Sequence, residues 1–328
     1  MSKNILIGNG INIEFGGYDK YSSNAIMQRV VDNIYSKKYQ CLAENGVSES
    51  EIFDILDGLV DVINKIKSGK LSQYADGLFM LMELERIKRT YPETSTVTSV
   101  FLEDYFLAAE IFCNMYKEAD GEERSEYYRK ILFNFLRQMI VDGIFNNGQI
   151  NNVHKSFYPK VSAFLDSFDY IFTINYDYNI EKALDNTEKV FHLHGEFDKL
   201  APEYNEDSKY YASHIEECQK NIASMIPKLD HVYSNSIMSW YWLDKYGDLI
   251  EPDMQNCKEV FTNISGTLEM LGLSPNNDEH LFIMINQNPN IKNVTYYYFN
   301  DSEKEELPKH IKKPVTFKNV KRLWESLK

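Results

Sequence analysis

Cysteine is scarce in this sequence, and its spacing excludes two common uses of the residue. None of the four cysteines forms a Cys-x-x-Cys pair; they stand at Cys41, Cys113, Cys218 and Cys257. Structural zinc modules and disulfide frameworks both need cysteines at short or regular spacings. The sequence therefore predicts no metal site and no disulfides, and this usage is typical of a reducing compartment.

Positive charge is also in short supply. The 328 residues carry 35 Lys and Arg against 49 Asp and Glu, which gives a formal net charge of -14. Nucleic-acid binding needs clustered Lys and Arg, so we expect no nucleic-acid partner. One local stretch, residues 309–328, is basic. We expect it to end in a short closing helix over 318–324 that packs Leu323 and Trp324.

Long uncharged apolar runs are missing as well. No run approaches the length that spans a membrane, and the first strand begins within five residues of Met1, which leaves no room for a signal segment. We therefore expect a cytoplasmic protein with no membrane partner.

With 43% apolar and 14% aromatic residues the chain can bury a sizeable core. We expect one domain over residues 1–328.

The chain is organised around a stretch close to its start. Ile5–Ile7 is the kind of apolar run found in a central parallel strand, which is buried on both faces. It ends in Gly8-Asn9-Gly10, where two glycines allow a sharp turn and a close approach to a ligand, and Asn12 can cap the helix or turn after it. Such a turn can hand a dinucleotide's phosphates to backbone N–H groups. A Gly-x-Gly also suits an ordinary strand-to-helix turn, and Ile13 stands where the fingerprint has its third glycine.

A helical insertion follows this first strand. Residues 14–19, which include Phe15, form a glycine-interrupted segment that we interpret as a loop able to close over a ligand. Residues 24–150 show apolar residues at helical spacing and no strand alternation, so we predict an inserted helical block there. Its signals are N-caps at 22–24, a Ser48/Glu51 capping box, and helices over roughly 71–89, 97–117 and 122–145.

Four further strand candidates follow the insertion, and three of them end in polar or glycine-containing segments that also carry functional candidates. The candidates are 170–174, 190–193, 268–271 and 294–299. The first is followed by Asn175, Tyr176 and Asp177, and the second by His194 and Gly195. The third is followed by Gly272, Ser274, Asn277 and Asp278. Ligands of open α/β sheets bind outside the carboxyl ends of the strands. The sequence therefore predicts an α/β fold with a Rossmann-like parallel sheet and a site at that edge.

These motifs, in this order, resemble those of the SIR2-like (sirtuin) superfamily. The matching stretches are 8–12, 173–177, 192–195 and 272–278. More closely, the chain resembles the SIR2-like NADase domains of bacterial antiphage defence proteins, of the defence-associated sirtuin type. Sirtuin deacylases have a glutamine where this chain has Ile174, and they carry a zinc module built from two Cys-x-x-Cys pairs, which this chain lacks. A protein deacylase is therefore the weaker interpretation, and we expect no zinc module.

The resemblance implies that the chain cleaves NAD⁺ to nicotinamide and ADP-ribose as the toxic effector of abortive infection. Breaking that bond creates a positively charged centre on the ribose. Asn175 can position water or the ribose hydroxyls, Asp177 can bind a hydroxyl and add negative charge, and His194 can act as general base. The residues expected to bind NAD⁺ are Gly8, Asn9, Gly10, Asn12, Phe15, Gly272, Ser274, Asn277 and Asp278.

Several alternatives stay open from sequence alone. Asn175 and Asp177 could form an Asx turn, and Ser274, Asn277 and Asp278 could form a turn or cap a helix. His192 or His194 could face the ribose. The same pocket could sense NAD⁺ or ADP-ribose without turnover, and an AbiH-like abortive-infection protein also opens with Gly-Asn-Gly. The family resemblance further implies a homo-oligomer gated by a protein partner, either a phage protein or a defence-system subunit. NAD⁺ and NADP⁺ are not distinguished.

Overall fold

The computed structural model describes most of the chain outside residues 195–251. The described residues are 2–36, 48–75, 77–91, 94–102, 104–125, 128, 132, 135–136, 139, 141–194 and 252–328. They fall into two compact units, which we call the sheet unit (2–21, 148–194 and 252–328) and the helical unit (22–147). Gly195 lies outside the described residues, and so does the aromatic cluster at 240–242, which the sequence suggests as packing residues in a candidate assembly surface. Of the helices described, none has the length and apolar character needed to cross a membrane.

The sheet unit contains six parallel strands. They are β1 Lys3–Ile7, β2 Tyr170–Thr173, β3 Val190–His192, β4 Gly266–Leu271, β5 Ile291–Tyr298 and β6 Val315–Asn319. Their order across the sheet is β3-β2-β1-β4-β5-β6, which is the order of doubly wound nucleotide-binding sheets. The expected α/β class and parallel sheet are confirmed, and the order is compatible with a Rossmann-like fold. The five strands expected from sequence are present.

β6 is the strand that sequence reasoning missed. Only β5 pairs with it among the described strands, and its residues alternate between exposed and half-buried, so it lacks the continuous apolar run of β1. The closing helix expected over 318–324 begins two residues later and runs over Val320–Leu327. Asn319 marks the boundary, because its side chain accepts hydrogen bonds from the N–H groups of Lys321 and Arg322.

The described helices of both units follow in chain order. They are α1 Gly10–Gly16, α2 Tyr18–Tyr21, α3 Ser23–Tyr35, α4 Glu49–Lys67, α5 Gly77–Thr90, α6 Asp104–Asp120, α7 Val161–Asp166, α8 Pro252–Asn263, α9 Glu279–Gln287, α10 Asp301–His310 and α11 Val320–Leu327. Short 3-10 segments occupy Ser72–Tyr74, Val97–Ser99, Asn146–Ser156 and Glu181–Ala183, and a π-helical turn occupies Val141–Phe145.

The loop expected over residues 14–19 is wrong except at Gly17, because residues 18 and 19 already belong to α2. Residues 14–16 form the last turn of α1, and Gly17, with φ of 105°, ends the helix. Ile11 and Phe15 are four residues apart, so they share a helix face and pack into one apolar cluster with Val161, Leu165 and Trp324. Burial of this face outweighs the helix-breaking tendency of the paired glycines.

The helical unit contains no strand among its described residues, and its first two helices start as the sequence predicts. The Ser22 hydroxyl accepts a hydrogen bond from the Ala25 N–H, and Ser48 and Glu51 form the expected capping box. Two later starts are wrong. The helix expected from 71 begins at Gly77, because Leu71 takes a left-handed backbone conformation, and the helix expected from 97 begins at Asp104. The helix expected over 122–145 lies partly outside the described residues.

Candidate functional site

The candidate site lies at the carboxyl edge, by which we mean the segments 8–12, 174–181, 193–194 and 272–278 that follow β1, β2, β3 and β4. β1 pairs with β2 on one side and with β4 on the other. The strand order therefore reverses between β1 and β4, and such a switch point leaves a crevice between the loops that follow the two strands. The fold places Gly8 to Gly10 and Gly272 at this point.

The three glycines at the switch point bring two backbones into contact. A Cβ on Gly10 would lie 2.4 Å from the Gly272 Cα, and a Cβ on Gly8 would lie 2.6 Å from the Gly272 carbonyl oxygen. Gly272 itself has φ of 72°. The N–H groups of Gly8 and Gly10 donate to the carbonyls of Leu271 at 2.9 Å and Gly272 at 3.0 Å. These glycines thus serve the β1–β4 contact, and the N–H groups of Gly8 and Gly10 are already engaged.

Three predicted ligand contacts on α1 and its turn have partners within the protein. The Asn9 amide donates to the Tyr21 carbonyl at 2.8 Å, and the Asn12 amide donates to Asp177 Oδ2 at 2.7 Å. Phe15 packs against other aromatic rings, with ring centroids about 5 Å away; the rings belong to Phe157, Tyr158 and Trp324. The structure therefore gives Phe15 a packing role.

Asp177 is buried at the centre of a polar network between the first two strand tips. Its Oδ1 accepts from the Asn179 backbone N–H at 3.0 Å and the Asn179 side-chain amide at 2.6 Å, while Asn12 donates to Oδ2. Burial raises the pKa of the Asp177 carboxyl, and the hydrogen bonds from Asn179 and Asn12 oppose this rise. The network ties α1 to the turn after β2.

Asn175 lies against the glycine turn. Its backbone N–H donates to the Thr173 hydroxyl at 3.0 Å, so the Thr173 side chain makes this local turn. The Asx-type bond expected as an alternative is made instead by Asp177, whose Oδ1 accepts the Asn179 N–H. The side-chain Nδ2 of Asn175 lies 3.4 Å from the Gly8 carbonyl oxygen. The side chain is 7% exposed. The structure thus brings Asn175 and Gly8 together, although β1 and β2 are far apart in sequence.

His194 and Asp278 meet beneath the surface of the carboxyl edge. Each residue is 2% exposed, and His194 Nε2 lies 3.9 Å from Asp278 Oδ1. Asp278 occupies the N-cap position of α9 with φ of 58°, and its side chain makes no capping hydrogen bond. The Asp278 carboxylate therefore does not cap α9, although helix capping was the competing explanation for this residue. Burial lowers the pKa of His194 to about 3, so the ring is neutral near pH 7.

The rest of the loop after β4 is a turn. Ser274 is exposed, and its hydroxyl accepts the N–H of Asn276 at 3.3 Å. The Asn277 N–H donates to the Ser274 carbonyl at 3.3 Å, and Asn277 Oδ1 is buried without a hydrogen-bond partner. Turn formation, one of the two explanations open for these residues, is thus observed.

Sequence reasoning missed several residues that hold this edge together. Asn179 completes the Asp177 network, and Glu181 contacts His192, which the sequence had already offered as a ribose contact, next to Asn175. The Tyr296 hydroxyl, on β5, donates to the Leu273 carbonyl at 2.7 Å and so fixes the loop after β4. The repeated Asn175-x-Asp177-x-Asn179 spacing was the available signal for the first of these.

The carboxyl edge is poor in positive charge. The described segments 8–12, 174–181, 193–194 and 272–278 contain no Lys or Arg, whereas they carry the carboxylates of Asp177, Glu181 and Asp278. In the part of the chain that the structure describes, no group of three or more His, Cys, Asp or Glu is placed to hold a metal ion. The edge is therefore suited to amide and hydroxyl contacts and to a centre of positive charge.

Comparisons with protein-family models, with curated proteins and with solved structures gave no match to this chain. The function is therefore inferred from the geometry of the carboxyl edge. The carboxyl edge presents a buried amide beside the glycine turn and a neutral imidazole beside a carboxylate. Together these groups can orient hydroxyls, accept a proton and stabilise a cation.

Proposed function

We propose that the protein is an NAD⁺ glycohydrolase that splits NAD⁺ into nicotinamide and ADP-ribose at the carboxyl edge. The observation that carries the proposal is the convergence of the first four strand tips. Asn175 after β2 lies against Gly8 after β1, and His194 after β3 lies against Asp278 after β4. Groups from separate strands that meet at a switch point are the usual basis of a nucleotide site in open parallel sheets.

The chemistry suits these groups. When the N-glycosidic bond breaks, its electron pair moves to the nicotinamide nitrogen, which becomes neutral and leaves without a general acid. The ribose carbon becomes an oxocarbenium-like cation, and the Asp278 carboxylate contributes negative charge near it. Asn175 orients the ribose or the attacking water. His194 accepts the proton that the water releases, and a weak base suffices because the cation is a strong electrophile.

The fit to NAD⁺ differs along the molecule. The ribose hydroxyls and the nicotinamide end would contact the Asn175 amide, the His194 ring and the Asp278 carboxylate. The pyrophosphate would find no cationic side chain in the described loops, and the Gly8 and Gly10 N–H groups already donate to β4 carbonyls. We therefore assign recognition chiefly to the ribose and nicotinamide.

Nicotinamide release from NAD⁺ by the purified protein tests the proposal. Wild type should release nicotinamide, and Asn175→Ala and His194→Ala should each lower the rate at least about 100-fold, in the range typical of positioned acid-base groups. Asn290→Ala is the matched control, because Asn290 is exposed and precedes β5 at the opposite end of the strands. Release that is unchanged in both site variants, with wild-type melting curves, would overturn the assignment.

A second candidate is a module that binds NAD⁺ or ADP-ribose without cleaving it. The burial that lowers the pKa of His194 to about 3 favours it, because so weak a base adds little to catalysis near pH 7. Calorimetry measures NAD⁺ binding and the nicotinamide assay measures cleavage. A sensor would bind NAD⁺ and release no nicotinamide. A role in abortive infection, a homo-oligomer and a regulatory protein partner stay proposals that follow the family resemblance.

A further inference from the structure

His192 is a buried histidine that the proposed chemistry does not use. It ends β3, is 4% exposed, and makes contacts through both ring nitrogens. Nδ1 lies 2.8 Å from the carbonyl oxygen of Asn175, and Nε2 lies 2.5 Å from Glu181 Oε1. A carbonyl oxygen only accepts hydrogen bonds, so Nδ1 must carry the hydrogen.

The second contact fixes the number of protons that the pair holds. If Nδ1 carries the only ring hydrogen, the Nε2 lone pair faces a carboxylate oxygen at 2.5 Å, and two acceptors repel at that distance. A proton therefore lies between His192 Nε2 and Glu181 Oε1. The Tyr178 ring lies edge-on to the imidazole with centroids 5.7 Å apart, and the Asp177 carboxyl is near enough for His192 to lower its pKa electrostatically. Two nearby carboxylates favour the doubly protonated ring.

These contacts hold the turn that carries Asn175. Its N–H is bound by the Thr173 hydroxyl, its carbonyl by His192, and its side-chain amide lies against Gly8. Glu181 belongs to the 3-10 segment that follows the same turn. One imidazole thus connects β3 to both ends of the segment between Asn175 and Glu181.

We propose that His192 is a positioning residue: its Nδ1–H holds the Asn175 carbonyl, and Glu181 keeps the ring doubly protonated, so that the Asn175 amide stays aimed at the glycine turn. The kinetic consequence depends on the proposed NAD⁺ cleavage. The ring protonation does not depend on it. His192 itself touches no substrate.

Two substitutions separate the two ring nitrogens. The amide nitrogen of His192→Asn can replace Nδ1 and keep the bond to Asn175, whereas that of His192→Gln replaces Nε2 and loses it. We expect His192→Asn to keep kcat for nicotinamide release within about 3-fold and His192→Gln to lower kcat about 100-fold, with smaller changes in KM, because misplacement of a positioning group costs about that much. If kcat fell equally in both variants, in proportion to the loss of thermal stability, His192 would have a packing role only.

The ring protonation is measured directly by nitrogen-15 NMR of the histidine side chains. At neutral pH, His192 in the wild type should show hydrogens on both ring nitrogens, and Glu181→Gln should convert it to the neutral ring with hydrogen on Nδ1. A wild-type ring with hydrogen on Nε2 alone would overturn the proposal. If the wild type releases no nicotinamide, the proposed function fails, and the NMR result still decides whether His192 holds Asn175.

Discussion

His194 Nε2 lies 3.9 Å from Asp278 Oδ1, although these residues follow strands that are separated in the sheet by β2 and β1. The segments after β3 and β4 must therefore extend toward each other across the intervening strand tips. Asp278 adopts a left-handed conformation there, which is uncommon for a residue other than glycine. Backbone strain of this kind clusters at functional sites.

The first prediction concerns the carboxylate of Asp278. Asp278→Asn keeps the shape and tolerates the left-handed backbone but removes the charge. We expect nicotinamide release to fall about 10- to 100-fold, because the developing cation loses a stabilising charge. Thermal stability should be unchanged or higher. Wild-type turnover in this variant would show that the carboxylate plays no part in the reaction.

The second prediction concerns the contact between the glycine turns. Gly10→Ala places a Cβ against the Gly272 backbone, so we expect the free energy of unfolding to fall by about 2–3 kcal/mol. Gly58→Ala is the matched control. Gly58 lies within α4 with no atom within 4 Å of its Cβ position, and alanine there should stabilise the helix by about 0.5–1 kcal/mol. Denaturation curves measure both, and equal effects would contradict the steric account.

The third prediction concerns the hydrogen bond between Asn12 and Asp177. Asn12→Asp places two buried carboxylates side by side, and we expect the free energy of unfolding to fall by about 3–5 kcal/mol, the usual cost of an uncompensated buried charge. Adding Asp177→Asn exchanges the two groups and restores the pair. Urea unfolding of the double variant should recover most of the loss. A double variant less stable than Asn12→Asp would show that the two side chains are not coupled.

The fourth prediction follows from the neutral His194 ring. Its pKa is lowered by burial from 6.5 to about 3, so between these pH values the unfolded chain binds a proton that the folded chain does not. Stability should therefore fall with decreasing pH in this window, by up to about 1.4 kcal/mol per pH unit. His194→Gln, which cannot titrate, should lose less stability than wild type between about pH 6.5 and 4.5. Parallel curves would mean that the histidine is solvated.

The sequence predicted five of the six described strands and missed β6, one of the two edge strands. β1 and β4 are buried on both faces, and apolar runs of this kind are visible without tertiary information. β6 pairs only with β5 among the described strands and is half-exposed, so its pattern resembles that of a polar segment. The helix expected from residue 71 starts later because Leu71 has a left-handed backbone conformation, which a leucine in the sequence does not indicate.

The candidate site was predictable in its members and less so in their roles. Glycines and short polar residues after apolar strands indicated which segments converge, because parallel strands share one carboxyl edge. Spacing could not show that Gly10 meets Gly272, that Asp177 is held by Asn179, or that burial keeps His194 neutral. These facts depend on contacts between segments that are distant in sequence, and such contacts cannot be predicted from a single sequence.

Hydrogen exchange with and without NAD⁺, followed by mass spectrometry on the His194→Ala variant to suppress turnover, tests most directly whether the carboxyl edge is a nucleotide site. We predict that NAD⁺ slows exchange in peptides covering residues 8–12, 174–181 and 272–278 together. Protection confined to other parts of the chain, or no protection at saturating NAD⁺, would contradict the account.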